Sequence, residues 1–268
     1  MGRLHAVGFR KLWFVVERDI RAFMQYKFML IMRGIWFTAQ VALFGVIVNR
    51  MVSTAATSVG INYFQYYVAG VTIITLYSTA MFIGYDIFEE AEHGVFEYLL
   101  TLPISRRELV LGRSIGGGLR TFIYIGPLLV IVLFILGVAN PINLLISLLA
   151  LFLFAFGVSG MSITIAVGMK SGDKYDILMG VLDALIVRLS TTMYPLVFLQ
   201  QAMPSYATIA TLNPLTYAAD LFRWGTGIEG TLQFNPLIGV LALFIFFFAF
   251  TFVGVAFYEK RLEGGSWQ

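Results

Sequence analysis

The chain has 268 residues, of which 59% are hydrophobic and 12% charged, with a mean hydropathy of +0.85. Ordinary soluble domains carry about 25% charged residues, so the composition excludes a soluble protein and indicates an integral membrane protein. The absence of cysteine and the presence of only two histidines exclude disulfides, thiolate catalysis and a cysteine metal site, and argue against a histidine site. The net charge of +3 does not indicate nucleic acid as a partner, because the basic residues flank the apolar runs.

Residues 1–27 predict an amphipathic helix in the membrane interface. They do not predict a signal peptide, because charges interrupt the approach to the next apolar run and that run is too long. The apolar residues fall within about 120° of arc at 100° per residue: Phe9, Leu12, Trp13, Val16, Ile20, Phe23 and Met24. Such a helix lies in the inner interface, either as a simple anchor or with a specific docking role.

Residues 28–268 predict an all-α membrane domain with six spans, since each span needs roughly 20 apolar residues. The predicted spans are 28–49, 62–85, 115–138, 142–169, 177–200 and 236–258. With the N-terminus inside, fifteen lysines and arginines fall on the inner side and two, Arg50 and Arg223, on the outer side. The positive-inside rule therefore predicts that both termini are cytoplasmic and that the protein lies in the cell membrane as a multi-pass protein.

Residues 89–113, EEAEHGVFEYLLTLPISRRELVLGR, form a charged segment between the second and third spans. His93-Gly94 predicts a break, VFEYLLTL predicts a short helix, and Pro103 predicts its end, because the residue before a proline avoids helical backbone. Ser105 and Glu108 match a capping box that starts the next helix. The short helix presents Val95, Phe96, Leu99 and Leu100 along one side. Such an apolar face in the cytosol predicts a protein partner.

Two glycine patterns have alternative interpretations. Gly157-Val158-Ser159-Gly160 matches the nucleophile motif of intramembrane serine proteases, but a nucleophilic serine needs a nearby base and neither histidine lies in a span. Small residues in a membrane helix usually indicate close packing. Packing is also the interpretation of Gly112 and Gly116, within the chain or at a dimer interface.

Asp183 and Arg188 are the charges predicted deep in the membrane, both in the fifth span. Intramembrane charge indicates function, and five residues of helix place the two about 140° apart, so they do not pair along one helix. They either tie helices together or line a transport path. A proton-coupled transporter using Asp183 is an alternative, although the sequence shows no internal repeat of the kind such transporters often have.

Residues 201–231 are too apolar for a solvated loop and too short to cross the membrane twice. Pro204, Asn213-Pro214 and Gly225 divide them into two short helices, predicted to re-enter the outer leaflet or to lie flat on it. Asn-Pro also precedes two predicted spans, where asparagine caps a helix and proline occupies its first turn.

The charged segment resembles the signature of permease subunits of type-2 ABC transporters, and LNPLTYAADLFR at 212–223 is similar to that family's second recurring stretch. The resemblance covers the whole chain. It implies an interfacial helix, six spans, a coupling helix near Phe96 to Leu102 that docks into an ATPase subunit, and a re-entrant pair before the sixth span. The residues expected to serve ATPase coupling are Glu89, Glu90, Glu92, Phe96, Glu97, Leu99, Leu100, Pro103, Arg106 and Arg107. Those of the re-entrant region are Asn213, Pro214, Asp220 and Arg223.

The resemblance further implies a dimer of permeases, as a homodimer or with a sibling permease, together with two ATPase subunits that drive export. No Gly-x-x-x-x-Gly-Lys-Ser/Thr loop occurs in the sequence, so ATP and magnesium are expected on the partner ATPase and no cofactor on this chain. The few polar groups in the spans favour a hydrophobic or amphiphilic substrate. Export of a polysaccharide or lipid-linked glycan is the alternative.

Overall fold

The computed structural model describes residues 8–25, 27–51, 60–169, 171–228 and 233–262, and over these ranges the protein is all-α. The helices are α1 (Phe9–Phe23), α2 (Lys27–Ala39), α3 (Tyr63–Met81), α4 (Ile83–Glu92), α5 (Val95–Thr101), α6 (Arg106–Leu136), α7 (Pro141–Met169), α8 (Gly172–Arg188), α9 (Leu196–Ala202), α10 (Pro204–Leu212), α11 (Pro214–Thr226) and α12 (Pro236–Leu262). After α2 the helix continues through a π-helical stretch, Gln40–Gly45.

Five helical stretches in the described residues are long and apolar enough to cross a membrane: Gly34–Met51, Tyr63–Glu90, Arg106–Leu136, Pro141–Met169 and Pro236–Gly254. They correspond to the first, second, third, fourth and sixth predicted spans. The predicted fifth span, 177–200, is not one continuous helix. The helix α8 ends at Arg188, residues 189–195 are non-helical, and helix resumes at Leu196.

The second span lies at the centre of the fold. Of the 18 most apolar consecutive residues in the helical stretch that contains α3, 89% are buried, against 11% in the first span and 17% in the last. Helix α3 packs against α6, α7 and α11, and α7 in turn packs against α12. The first and last spans therefore leave most of their apolar side chains exposed at the periphery, where lipid or another subunit would cover them.

The N-terminal helix α1 is amphipathic as predicted, but only some of its apolar side chains are buried against the rest of the protein, and others are exposed. Val15, Val16 and Phe23 are buried where α1 packs on α6. Trp13 and Met24, on the other edge of the arc, are 50% and 47% exposed, and Phe9 in the first turn is 78% exposed. The helix is thus bound to the protein along one edge and free to contact lipid along the other.

The glycines of α6 make this packing close. A Cβ on Gly112 would lie 2.8 Å from Cβ of Val15, and one on Gly116 would lie 3.2 Å from Cβ of Asp19. Any larger side chain would push α1 away. The Gly-x-x-x-G pattern therefore packs two helices of the same chain.

The Gly-x-Ser-Gly stretch of α7 is also a packing element. A Cβ on Gly157 would lie 3.0 Å from Cα of Phe247 in α12. The Ser159 hydroxyl is fully buried, donating to the carbonyl of Ala155 at 2.9 Å and lying 3.3 Å from that of Ala80. Both the small residues and the hydroxyl are explained by helix contacts.

The π-helical stretch lies where the first span meets α3. Val41 and Gly45 are buried, whereas Leu43 and Phe44 are more than half exposed. A Cβ on Gly45 would lie 3.3 Å from the ring of Phe64. The seam between the two spans is therefore formed by a glycine against an aromatic ring.

Candidate functional site

The segment between the second and third spans folds as the sequence predicts. Helix α4 ends at Glu92, and Gly94 adopts φ +68°, a left-handed conformation that favours glycine. The seven-residue α5 follows, and Leu102 is extended before Pro103. Ser105 and Glu108 then form the predicted capping box at the start of α6. The short helix is thus joined to one span by a turn at Gly94 and to the next by a proline and a cap.

The side chains of α5 divide into exposed and buried positions. Tyr98 is 63% exposed and Val95 is 39% exposed, whereas Leu99 is 5% exposed and belongs to the core. The expectation that Leu99 faces a partner is therefore corrected, because it already packs within this chain. The side chains of Glu92, Phe96, Glu97 and Leu100, all expected to serve ATPase coupling, lie outside the described residues.

Beside α5, charged side chains from three helices form what we call the buried charge cluster: Arg18 and Asp19 of α1, Asp86 and Glu90 of α4, and Arg113 and Arg120 of α6. Glu90 accepts from Arg18 at 2.8 Å and pairs with Arg113 at 2.6 Å. Asp19 accepts from Arg18 at 2.6 Å, and Arg120 pairs with Asp86. The Arg113 and Arg120 side chains are 1% and 2% exposed. The cluster thus holds together α1 and the two spans that flank α5.

This cluster changes the interpretation of several charges. Glu90 was expected at the rim of a partner contact, but its carboxylate is bound inside the chain. Arg113 and Arg120 are buried and take part in ion pairs. They are therefore weaker evidence for the orientation of the chain in a membrane than an exposed arginine such as Arg107. Asp19 was not among the expected site residues. The only sequence signal for it was an acidic side chain at the edge of the apolar arc of α1.

Glu108 links the start of α6 to the start of α1. One carboxylate oxygen accepts from the backbone amide of Ser105 at 2.7 Å, as the capping box requires. The other accepts from the amide of Gly8 at 2.6 Å. A single buried carboxylate therefore binds the first turns of two helices, whose free amides favour negative charge.

On the opposite side of the fold, side chains hold open the break in the fifth helix at residues 189–195. Asn213 donates to the carbonyls of Ile186 and Leu189 at 2.7 and 3.0 Å, which satisfies the end of α8. The backbone amide of Thr191 donates to the Thr216 hydroxyl at 3.1 Å. These contacts account for the early end of α8, because they replace bonds that a continuing helix would make.

Arg223 binds the same break from α11. Its side chain is fully buried, with one nitrogen 3.1 and 2.9 Å from the carbonyls of Thr191 and Thr192 and its Cζ 3.5 Å from the ring centroid of Tyr66. The Tyr66 hydroxyl donates to the Thr191 carbonyl as well. Arg223 was counted among the outer-side charges and assigned to the re-entrant region. The structure instead places it inside the fold as a partner for backbone carbonyls.

The rest of the 201–231 region follows the predicted pair of short helices, with Asn213 between α10 and α11 and Pro214 as the first residue of α11. Gly225 does not end the second helix, because it lies inside α11 against Ser147. The end is at Gly227, with φ +79°. Asp220 accepts from the backbone amides of residues 233 and 234 at 3.1 Å each, which joins α11 to the approach to α12.

Asp183 and Arg188 are both exposed side chains on α8. Within the described part of the chain neither forms a hydrogen bond or an ion pair. The interpretation that they tie helices of this chain together is therefore not supported by contacts, and Asp183 faces a cleft instead.

Two comparisons with known proteins agree with one another. Residues 10–226 match the sequence model of the family described as "ABC-2 type transporter". Over 167 residues the chain is 27% identical to the "Putative transport permease ycf38" of Cyanophora paradoxa, a match that covers 61% of this chain and 56% of the relative. The chain thus spans little more than half the length of the curated relative that it matches.

Proposed function

Because the chain belongs to the ABC-2 type transporter family, whose sequence model covers most of its length, we propose that it is the membrane-spanning permease subunit of an ATP-driven exporter. A separate ATPase subunit binds ATP and magnesium, and two permeases and two ATPases form the complex. The permease is a homodimer, or a heterodimer with a sibling. The cargo is a hydrophobic or amphiphilic compound moved outward.

The observation that carries this proposal is the attachment of α5. A helix of seven residues between Gly94 and Pro103 has almost no freedom relative to the two spans on either side of it, because the buried charge cluster ties α4 to α6 a few residues away. A force applied to α5 is therefore transmitted to both spans and, through Arg18 and Asp19, to α1. This is the mechanical arrangement that a subunit driven from the cytosol needs.

The exposed contact for the ATPase is on α5 itself. Tyr98 is the most exposed of the described apolar side chains of this helix, and aromatic residues are common anchors at interfaces. Phe96 and Leu100 remain proposed contacts on the basis of the sequence. Arg106 and Arg107, at the start of α6, would border the contact and contribute less, since exposed ion pairs are worth about 0–1 kcal/mol.

For the topology we propose six crossings with both termini in the cytoplasm. Five crossings are the continuous apolar helices. The predicted fifth span, which consists of α8, the non-helical residues 189–195 and α9, completes the six. Irregular backbone at membrane depth requires polar partners within the protein, and Asn213, Thr216 and Arg223 supply them. Helices α10 and α11 then form the re-entrant pair on the outer side.

The test is expression of the chain with its ATPase and purification of the complex for co-elution and ATP turnover. Tyr98→Ala should reduce co-elution or uncouple turnover from transport without changing the stability of the permease. Its matched control is Leu99→Ala, the next residue, which should lower the stability of the permease by about 2–5 kcal/mol because a buried side chain is lost. Unchanged co-elution and turnover for Tyr98→Ala, Phe96→Ala and Leu100→Ala together would refute α5 as the coupling element.

A further inference from the structure

A cleft of about 430 Å³ lies between α3 and α4 on one side and α8 on the other. Its volume falls within the roughly 300–1,000 Å³ of small-molecule sites. One wall is aromatic and apolar, with Tyr77, Met81, Phe82 and Tyr85, and the other carries Asp176 and Asp183. None of the functional residues discussed above except Asp183 belongs to it.

The hydroxyl of Tyr77, at the wall of the cleft, lacks a hydrogen-bond partner in the described part of the chain. The side chain is 2% exposed. Buried polar groups are normally hydrogen-bonded, because an unpaired one has lost its water without replacement. Tyr77 lines the cleft, so a small movement of its side chain would bring the buried hydroxyl into contact with a polar group bound there.

The two carboxylates lie on one face of α8. Seven residues separate Asp176 from Asp183, which is two helical turns, or about 10 Å along the axis. Asp176 accepts a hydrogen bond from the Tyr85 hydroxyl, whereas Asp183 has no hydrogen-bond or ion-pair partner among the described residues. Asp183 is therefore the carboxylate that is free to bind a ligand.

The described lining of the cleft includes no lysine or arginine. Negative charge and aromatic faces both attract a cation, the latter through the ring quadrupole, and both disfavour an anion. The methionines Met81 and Met179, 6% and 9% exposed, can adapt to apolar groups of different shapes. A neutral apolar compound would leave Asp183 and the Tyr77 hydroxyl without partners.

We propose that this cleft binds a cationic amphiphile, an apolar molecule that carries a protonated amine. The ammonium group donates to the Asp183 carboxylate and to the Tyr77 oxygen, and the apolar part lies against Phe82 and the methionines. That such a molecule is the transported cargo rests on the proposed function. That the cleft binds it does not.

The test uses the full chain in nanodiscs of zwitterionic lipid, with empty nanodiscs to correct for partitioning. The probes are a dansylated alkyl diamine with one free amine and the same compound acetylated on that amine. The amine should bind at least about tenfold more tightly than the acetylated compound, as expected for a charge-assisted hydrogen bond. Asp183→Asn should remove most of that difference, and Tyr77→Phe should reduce it with the ring kept in place.

Asp173→Asn is the matched control, because Asp173 is exposed on the same helix and does not line the cleft. It should leave the affinity for both probes unchanged. Gly180→Cys adds a thiol at the cleft, where a Cβ meets nothing within 4 Å, and the chain has no other cysteine. The amine, but not the acetylated compound, should slow maleimide labelling of this thiol.

Equal affinity for the two probes, or equal effects of Asp183→Asn and Asp173→Asn, would overturn the proposal. Rapid disulfide formation between two Gly180→Cys protomers would overturn it too, since a second copy would then fill the cleft. ATP turnover of the complex with its ATPase separates the two proposals. Asp183-dependent binding that leaves turnover unchanged supports the site and counts against export of the amine, whereas normal coupling with no preference for the amine refutes the site alone.

Discussion

Replacing Glu90 with glutamine tests whether the buried charge cluster stabilises the junction beside α5. The substitution keeps the size of the side chain and removes its negative charge. Arg113, 1% exposed, loses the carboxylate at 2.6 Å, and Arg18 loses the one at 2.8 Å. The amide can accept from one of the two arginines but presents an NH2 group to the other.

Removing one member of a buried ion pair costs about 3–5 kcal/mol, because the remaining charge is buried without its partner. Two features of the site reduce that figure. The Glu90 side chain is 18% exposed, and Asp19 stays 3.8 Å from Arg113. We therefore expect Glu90→Gln to lower the free energy of unfolding by about 2–3 kcal/mol.

Glu17→Gln is the matched control. Glu17 pairs with Arg21 at 2.5 Å on the exposed face of α1, with side chains 45% and 77% exposed. Such an (i, i+4) pair contributes about 0.3–0.5 kcal/mol, so the two variants share their chemistry and differ in burial. Unfolding of the purified protein by a denaturing detergent, followed by circular dichroism, compares them.

The reasoning is refuted if Glu90→Gln and Glu17→Gln unfold at the same denaturant concentration as the parent protein. A loss of stability in both would also refute it, because burial would then not be what distinguishes the pairs. In the expected case, ATP turnover of the complex should also become less dependent on substrate, since Glu90 no longer ties α4 to α1 and to Arg113 of α6, and the Asp86–Arg120 pair is left to join α4 to α6.

Three further predictions concern the break in the fifth helix and the orientation of the chain. Gly70→Ala should destabilise the protein by about 1–3 kcal/mol or more, because its Cβ would lie 1.8 Å from the carbonyl oxygen of Thr192, whereas Gly34→Ala, with nothing within 4 Å, should be neutral or slightly stabilising in the same unfolding assay. Asn213→Ala should lower the free energy of unfolding by about 2–3 kcal/mol, since it removes a helix cap and two hydrogen bonds to the end of α8. Asn235→Ala, where the side chain only caps α12, should lower it by about 1 kcal/mol. Equal losses of stability in the two variants would contradict the bridging role of Asn213. Arg107→Cys should be labelled by an impermeant maleimide only after the cells are opened, and labelling of intact cells would show that the orientation is reversed.

Local signals in the sequence were sufficient for most of the fold. The capping box at Ser105, the break at Gly94 and the stop at Pro103 depend on residues next to one another in the chain, and the structure confirms all three. The same holds for the short helices on either side of Asn213. Five of the six predicted spans correspond to apolar helices because hydrophobic length alone decides them.

The failures involve contacts between residues far apart in sequence. The end of α8 depends on Asn213 and Arg223. Pro195 and the Ser190-Thr191-Thr192 run inside the predicted span were local signals of a break, but the position at which α8 ends is set by the distant contacts. The pairing of Glu90 with Arg113 and Arg18 depends on how three helices meet, so a glutamate in a charged run was interpreted as exposed. Leu99 was assigned to the partner-facing side for a similar reason. The sequence shows that a seven-residue helix has an apolar face, but it does not show whether that face is covered by the same chain or by a partner.

The π-helical stretch at Gln40–Gly45 has a consequence for the register of the first span. Each residue of an α-helix advances by about 100°, and a π turn accommodates one residue more than an α turn. The part of the span after Gly45 is therefore rotated by about that angle from the position that an uninterrupted helix would give it. A regular helix that kept every residue would turn Gly45 away from Phe64, whereas a regular helix with one residue deleted from this stretch would keep the contact. The orientation of the residues after the π turn therefore depends on a single amino acid.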